Sequence, residues 1–136
     1  MGDNAVLEYK TFRKTKKYAA RNFPKTFGFR MWNAPRPLKV GICEDFIAFV
    51  AASGRGGPPP DAVKAFLAAW VRRVEYLKAL AAGGNRIGLA ARPVAAVDEK
   101  IKTASIGGAI NALKRRQRKL LETKAAQSVE QERAAA

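Results

Sequence analysis

Apolar residues recur at helical spacing through most of the chain, and the clearest stripe lies between residues 61 and 82. Residues three or four apart share one face of a helix, so this stripe predicts a continuous amphipathic helix that ends at Gly83-Gly84. Tyr76 lies well away from the stripe on such a helix. Its ring is then either packed beneath a neighbouring element or facing a ligand. The members of the stripe are Val63, Phe66, Leu67, Trp70, Val74 and Leu77.

Two further helices are predicted ahead of this one. The first 22 residues carry a ragged apolar stripe and predict a helix that ends before Pro24. Residues 23–37 contain three prolines and are expected to be irregular. A second helix should stop near Ser53-Gly54, since the loop at 55–59 cannot continue it, whereas Pro60 suits the first position of the next helix. The stripe of that second helix consists of Ile42, Phe46, Phe49 and Val50.

The pattern changes after the glycines. Apolar and polar residues alternate loosely within residues 85–94, with a turn at 90–92, and this pattern predicts a short β-hairpin. A third strand is expected elsewhere in the chain. A last helix is predicted after Val97, and the basic run at 114–119 flanks its apolar stripe. Residues 125–136 are expected to fray. The apolar stripe of the last helix consists of Ile106, Ile110, Leu113, Leu120 and Leu121.

These elements define a mainly helical α+β protein in three parts. Residues 1–22 form a basic N-terminal helical extension, residues 23–97 a central domain, and residues 98–136 a basic C-terminal helix with a frayed tail. We expect a monomer, because the pattern leaves no large apolar stripe unassigned.

Charge narrows the class of partner. The 136 residues include 26 Lys+Arg and 11 Asp+Glu, a formal net charge of +15, and all three parts of the chain are basic. Such an excess repels itself and weakly destabilises the compact state, so it usually serves an anionic partner. Nucleic acid, an anionic membrane surface and an acidic protein all remain open at this point.

The residues that most catalytic and metal sites require are missing. The chain has no histidine and one cysteine, Cys43, so a zinc set and an internal disulfide are impossible. Cys43 lies in an apolar run and is expected to be a small buried hydrophobe. We expect no enzyme, metal, cofactor or small-molecule substrate. No stretch of about 18 apolar residues is present, and the N-terminus lacks the order of a signal peptide, which favours a cytoplasmic protein without a membrane partner.

A series of short motifs carries a more specific signal. In chain order they are Asn22-Phe23-Pro24, Arg36-Pro37-Leu38-Lys39-Val40-Gly41-Ile42-Cys43-Glu44-Asp45, Trp70, Tyr76-Leu77, Gly83-Gly84-Asn85-Arg86-Ile87-Gly88-Leu89 and Arg92-Pro93-Val94. This ordered set, over roughly residues 20–100, closely resembles the ProQ/FinO domain of bacterial RNA-binding proteins. The resemblance implies a basic concave face that binds the base of a stem-loop and its 3′ single-stranded end. Typical ligands would be terminator hairpins with U-rich tails, in small RNAs and mRNAs. An RNA chaperone in post-transcriptional regulation is the implied function.

The resemblance also implies a set of RNA-binding residues. Tyr76 and Arg86 match a pocket for the terminal nucleotides and the 3′-hydroxyl, and Lys64 occupies a basic site on the central helix. Without the resemblance, a solvated helix face is the better interpretation of Lys64 and Arg72. Arg86 could instead form an ion pair with Glu75 or Asp61, although the resemblance favours the RNA-binding role. The expected RNA-binding residues are Arg36, Lys39, Lys64, Arg72, Arg73, Tyr76 and Arg86.

The chain departs from the family pattern at the start of the central helix. The family commonly has Ser or Thr there as a cap that supports a backbone phosphate, whereas this chain has Pro59-Pro60-Asp61. Proline lacks a backbone donor and Asp61 adds a negative charge, so a weaker phosphate contact is expected.

Two alternative functions follow from charge alone. One is unspecific binding to nucleic acid, as in a nucleoid protein, or to an anionic membrane surface, on which the basic C-terminal helix could lie. The other is a regulatory protein that binds an acidic protein. A requirement for RNA with a free 3′ end would discriminate against both.

Overall fold

The computed structural model describes residues 2–54 and 56–135, and the side chains of residues 2–9 and 135 lie outside that description. Residue 55 of the expected loop and the final residue of the expected frayed tail therefore also lie outside it. The described chain is mainly helical with one small sheet, which confirms the predicted fold class. In order, the elements are α1 Gly2–Asn22, α2 Pro24–Phe27, α3 Phe29–Asn33, α4 Ile42–Ser53, α5 Pro60–Val71, α6 Val74–Ala82, β1 Asn85–Ile87, β2 Pro93–Ala96 and α7 Glu99–Ala135.

Aromatic rings from α2, α4 and α5 form the centre of the core. Phe27 lies 5.1 Å from Trp70 and 5.5 Å from Phe66, measured between ring centroids, and Phe46 lies 6.5 Å from Phe66. Each of these pairs contributes about 0.5–1.5 kcal/mol beyond the burial of its area. Trp70 is buried, as the apolar stripe predicted. The core therefore anchors the central helix against the N-terminal half of the chain.

The segment at 23–37 is more regular than expected, because it contains the short helices α2 and α3. Pro24 occupies the first position of α2, where a missing N–H costs nothing. At the corner between the helices a Cβ on Gly28 would lie 2.1 Å from the Pro24 carbonyl oxygen, so only glycine fits. The Thr26 hydroxyl lies 3.1 Å from the carbonyl oxygen of Gly88 and 3.0 Å from that of Leu89, and so ties α2 to the hairpin.

The central helix is interrupted, and the prediction of one continuous helix was wrong. The chain leaves helical geometry at Arg73, where φ is −70° and ψ is 146°, so α5 ends at Val71 and α6 begins at Val74. The extended backbone lets the Arg73 guanidinium contact the ring of Trp32. The interruption also changes which face of the helix is buried. Tyr76 and Leu80 of α6 are buried with Val74, whereas a single regular helix places Tyr76 off the apolar stripe.

The hairpin forms as predicted, with β1 and β2 antiparallel and Asn85 opposite Ala96. The expected third strand is reduced to one parallel bridge between Leu38 and Ile87. Two 2.8 Å backbone bonds flank this bridge: Lys39 N–H donates to the Ile87 carbonyl, and Ile87 N–H donates to the Pro37 carbonyl. The segment at 37–39 is thereby fixed along the edge of the sheet.

Helix α7 packs on α6 through small side chains. Its buried residues include Ser105, Ala109 and Ala112, and a Cβ on Gly108 would approach Leu77 to 3.8 Å. Most of the Ile/Leu stripe predicted from the sequence stays exposed, because the helix packs through its small residues, which allow two helices closer together than branched ones do. The apolar side chains left exposed on α7 are Ile101, Ile106, Ile110, Leu120, Leu121 and Val129. An apolar face is therefore left uncovered, which removes the ground for expecting a monomer.

The described part of α7 continues through the segment that was expected to fray, to Ala135. Within the described residues no helix, α7 included, is long and apolar enough to cross a membrane.

Candidate nucleic-acid interface

Four of the seven expected RNA-binding residues line one cavity of about 380 Å³, which we name the Tyr76 cavity. This volume is in the range of small-ligand pockets. The bridge segment at 38–43 forms one wall, α5 and α6 form others, and β1 contributes Arg86. The lining residues are Leu38, Lys39, Gly41, Ile42, Cys43, Lys64, Leu67, Ala68, Val71, Tyr76 and Arg86.

Tyr76 and Arg86 form hydrogen bonds with the N–H and the carbonyl of Leu38. The Leu38 N–H donates to the Tyr76 hydroxyl at 3.0 Å, and Arg86 Nη1 donates to the Leu38 carbonyl at 2.7 Å. Arg86 therefore has a backbone partner, in place of the ion pair with Glu75 or Asp61 that the sequence left open. A guanidinium has five N–H donors, and Arg86 directs its donors to both the Leu38 carbonyl and the Tyr76 side chain. The remaining donors are available to a polar ligand.

Tyr76 is only 3% exposed, so its ring is not an open surface for base stacking. Burial raises the pKa of Tyr76 above its usual value of 10.0, although the Leu38 backbone bond and the Arg86 charge act in the opposite direction. The residue therefore stays neutral and keeps its hydroxyl as an acceptor. In this conformation Tyr76 fixes the cavity wall, and Arg86, the half-buried cation, presents the charge.

Two lysines add positive charge to the Tyr76 cavity. Lys64 on α5 is exposed, and Lys39 Nζ lies 2.7 Å from Asp45 Oδ2. The two side chains of that ion pair are 40% and 42% exposed, so water screens it and its net contribution to stability is at most about 1 kcal/mol. Such a pair orients the ammonium without preventing its use by a phosphate. Cys43, expected to be buried, is half-buried beside these lysines and carries a free thiol.

The start of α5 offers few donors to a phosphate. Pro59 is the cap residue and Pro60 the first helical residue, and neither has an N–H. The N–H groups of Ala62 and Val63 donate to the Pro59 carbonyl at 3.0 and 3.1 Å. Of the first four N–H positions of the helix, only that of Asp61 is left for a ligand, beside an exposed carboxylate.

The adjacent Arg72 and Arg73 have different surroundings. Arg72 is exposed, and its Nε donates to the Ala68 carbonyl at 3.0 Å. The Arg73 side chain is 13% exposed, and its Cζ lies 3.4 Å from the ring centroid of Trp32. Arg73 also donates to the Trp32 carbonyl and lies 3.7 Å from Glu75. These contacts give Arg73 a structural role in the described fold, whereas Arg72 remains accessible to a ligand.

Charged side chains of α1, α6 and α7 lie close to Arg73 and change its pKa or share its partners. Burial lowers the pKa of Arg73 and also that of Lys16, whose Nζ lies 3.6 Å from the Trp32 ring centroid. Glu75 raises the pKa of Arg73 and also forms an ion pair with Arg116 of α7, with 3.3 Å between Oε1 and Nη2. Burial acts to raise the pKa of Glu75, but its backbone hydrogen bond and Arg116 outweigh that effect and lower it. This network connects α1, α6 and α7.

Arg36, Arg72 and Arg73 do not line the Tyr76 cavity, and Arg36 instead lines another cavity. It lines a separate, larger cavity of about 930 Å³, which shares no lining residue with the Tyr76 cavity. We name it the Phe29 cavity, after the exposed ring at its edge. The sequence motif put Arg36 and Lys39 in one basic block, but the segment between them is paired with Ile87 at the sheet edge and the two side chains line different cavities. Among the described residues, no group of three or more His, Cys, Asp or Glu side chains is placed to hold a metal ion.

The fold and these cavities define a small, strongly basic, mainly helical domain that presents cations in concave sites. A model of the ProQ/FINO family matches residues 9–134, which is nearly the whole chain. The chain belongs to the ProQ/FinO family, as the motif series indicated. The match extends past residues 20–100 into α1 and α7, so both terminal helices fall within the family pattern.

Solved structures support the same fold. A FinO-like RNA chaperone from Neisseria meningitidis is 25% identical, with a TM-score of 0.57, and the match covers 71% of this chain and 92% of that one. A ProQ homologue from Legionella pneumophila is 22% identical, with a TM-score of 0.58, and the match covers 70% of this chain and 77% of that one. Among curated proteins no match to the sequence was found.

Proposed function

We propose that the chain is an RNA chaperone that binds the base of a stem-loop and places the 3′ single-stranded end in the Tyr76 cavity. Its ligands are then small RNAs and mRNAs that end in a terminator hairpin with a U-rich tail, and its role is post-transcriptional regulation. Membership of the ProQ/FinO family and the likeness to a FinO-like RNA chaperone support RNA as the partner. The function is binding, without catalysis or cofactor.

The position of Arg86 is the observation that favours recognition of a 3′ end. Its guanidinium is oriented by the Leu38 carbonyl, and Lys39 and Lys64 line the same small cavity. A cavity of about 380 Å³ accepts a chain end more readily than a continuous strand. A 3′-hydroxyl is both donor and acceptor, so oriented polar groups can distinguish it from a blocked end. The cations neutralise phosphates without reading sequence, which favours recognition of structure.

Binding titrations at physiological salt test this proposal. The ligands are one hairpin with a U-rich tail, the same hairpin without the tail, and duplex DNA of equal length. We expect the tailed hairpin to bind tightest, because only this ligand offers both a stem base and an end for the cavity. Equal affinity for all three ligands would support unspecific binding by charge and contradict the proposal.

A pair of lysine variants separates the cavity from general charge. Lys64→Ala removes a cation that lines the Tyr76 cavity, and Lys78→Ala removes an exposed cation of α6 that is not part of its lining. Both variants lose one charge, so any difference between them reflects position. We expect Lys64→Ala to weaken binding of the tailed hairpin several-fold more than Lys78→Ala does. Equal losses would place the RNA elsewhere.

A further inference from the structure

The Phe29 cavity combines strong positive charge with an exposed aromatic ring. Five of its lining residues are Lys or Arg, and no Asp or Glu is among them. The cations come from α1, α2, α3 and the segment that follows α3, so the fold brings them together from separate parts of the sequence. They are Lys17, Arg21, Lys25, Arg30 and Arg36.

Phe29 is 89% exposed, although Phe27 only two residues earlier is fully within the core. The corner at Gly28 causes this difference, since α2 ends there and α3 begins with Phe29. An exposed large ring gains nothing for folding, because its surface is not removed from water. Beside cations, such a ring provides the stacking surface that a nucleic-acid base requires.

The positive charge continues from the cavity along α1. Lys10, Lys14, Lys17 and Arg21 are spaced by four, three and four residues, so they share one face of the helix. Lys17 and Arg21 line both the Phe29 cavity and a neighbouring one that also includes Lys14. Eleven residues of helix span about 16 Å, enough for several consecutive phosphates. The surface is therefore an extended basic track that leads to one exposed ring.

We propose that the Phe29 cavity is a second RNA-binding site, which takes an unpaired segment by stacking one base on Phe29 and pairing its phosphates with the surrounding cations. The inference rests on the proposed function in taking RNA as the ligand. Arg36 of this site and Lys39 of the Tyr76 cavity are three residues apart, so their Cα atoms are separated by at most about 11 Å. One RNA molecule can therefore occupy both sites at once.

The test uses an unstructured oligoribonucleotide of about twelve nucleotides with a 3′-phosphate, which engages single-strand sites but lacks the free end proposed for the Tyr76 cavity. Its affinity is measured by fluorescence anisotropy at physiological salt. Phe29→Ala and Phe29→Leu should weaken binding about fivefold or more, because neither offers a ring. Phe29→Tyr should stay within about twofold of the parent chain. Leu121→Ala, at another exposed apolar residue, is the matched control and should change nothing.

Arg86→Ala distinguishes this inference from the proposed function. It should weaken binding of the 3′-phosphate oligonucleotide less than Phe29→Ala does, while abolishing any preference for a free 3′ end in the tailed hairpin. If Phe29→Ala and Arg86→Ala weaken the oligonucleotide equally, the two cavities act as one site and the inference is wrong. If Phe29→Ala binds as the parent chain does, the ring does not contact RNA, and an acidic protein becomes the better partner for this surface.

The cations are tested by salt dependence. Lys25→Ala with Arg30→Ala should reduce the slope of log affinity against log salt by about 1.4, since each phosphate contact on a single strand contributes about 0.7. Lys119→Ala with Lys124→Ala removes the same charge from the exposed part of α7. An equal change of slope in both double variants would show that charge acts without a defined site, and would overturn the inference.

Discussion

Tyr76→Phe removes a single oxygen atom from the cavity wall and leaves the ring in place. That oxygen accepts the N–H of Leu38 at 3.0 Å, and Leu38 is itself only 3% exposed. Without the hydroxyl, a buried donor loses its partner at a cost of about 1–3 kcal/mol. The removal of a buried hydroxyl offsets part of this cost. We therefore expect the free energy of unfolding to fall by about 1–2 kcal/mol.

The rest of the Leu38 segment should stay in place in this variant. Arg86 still donates to the Leu38 carbonyl at 2.7 Å, and the two 2.8 Å backbone bonds with Ile87 remain. The loss is therefore that of the hydroxyl's own hydrogen bonds, to Leu38 and Arg86, rather than of the bridge. Urea unfolding should show a lower midpoint with an unchanged m value, since the surface exposed on unfolding is the same.

A matched variant and a double-mutant cycle complete this test. Tyr18→Phe is the control, because the structure shows no hydrogen bond from that hydroxyl among the described residues; its effect should stay below about 0.5 kcal/mol. Tyr76→Phe combined with Arg86→Ala should be non-additive by at least about 0.5 kcal/mol, since both residues bind Leu38. Unchanged stability of Tyr76→Phe, or full additivity in the cycle, would refute the shared anchoring of Leu38.

Three further predictions concern neighbouring residues. In urea unfolding, Arg73→Ala should lower the free energy of unfolding by about 2 kcal/mol, because it removes the contact with the Trp32 ring and a hydrogen bond. Arg72→Ala should change the same free energy by less than about 0.5 kcal/mol, and equal effects of the two variants would contradict the buried role of Arg73. Because the pKa of Glu75 is lowered in the folded state, its carboxylate stabilises the fold at pH values above its usual pKa of 4.5, and this stabilisation is lost as the pH falls through the folded-state pKa. Glu75→Gln should therefore make the midpoint of urea unfolding fall less steeply with decreasing pH. An unchanged pH profile would exclude this contribution. Alkylation of Cys43 should slow when a tailed hairpin binds, because the thiol lines the Tyr76 cavity, and an unaffected rate would place the RNA away from it.

Sequence periodicity predicted the elements whose residues are fixed by the core. The helices α4 and α5 and the hairpin follow from apolar spacing and from glycine and proline positions, because those signals are local. Tyr76 was placed incorrectly because periodicity assumes a regular helix, whereas the chain is extended at Arg73. At that break Arg73 contacts Trp32, about forty residues away in the chain, and no local pattern contains such a contact.

In the candidate site too, the sequence motifs predicted some residues, whereas the positions of others depend on how distant elements pack. The motif series contains Lys39, Tyr76 and Arg86, the family resemblance added Lys64, and the structure brings these four into one cavity. It could not separate Arg36 from them, since the separation depends on how α1, α2 and α3 pack. Phe29 carried no signal in the sequence, because an exposed and a buried phenylalanine are indistinguishable until the corner at Gly28 is known.

The most direct test of the central claim is the ratio of dissociation constants for one tailed hairpin ending in a 3′-phosphate or in a free 3′-hydroxyl, measured for the parent chain and for Arg86→Ala. A hydrogen bond to a charged group contributes about 1.5–3 kcal/mol, so a free hydroxyl that reaches Arg86 should bind about tenfold or more tighter than an end that a bulky 3′-phosphate keeps out of the cavity. Arg86→Ala should bind both ends alike. A parent chain that binds both ends equally would contradict recognition of the 3′ end in the Tyr76 cavity.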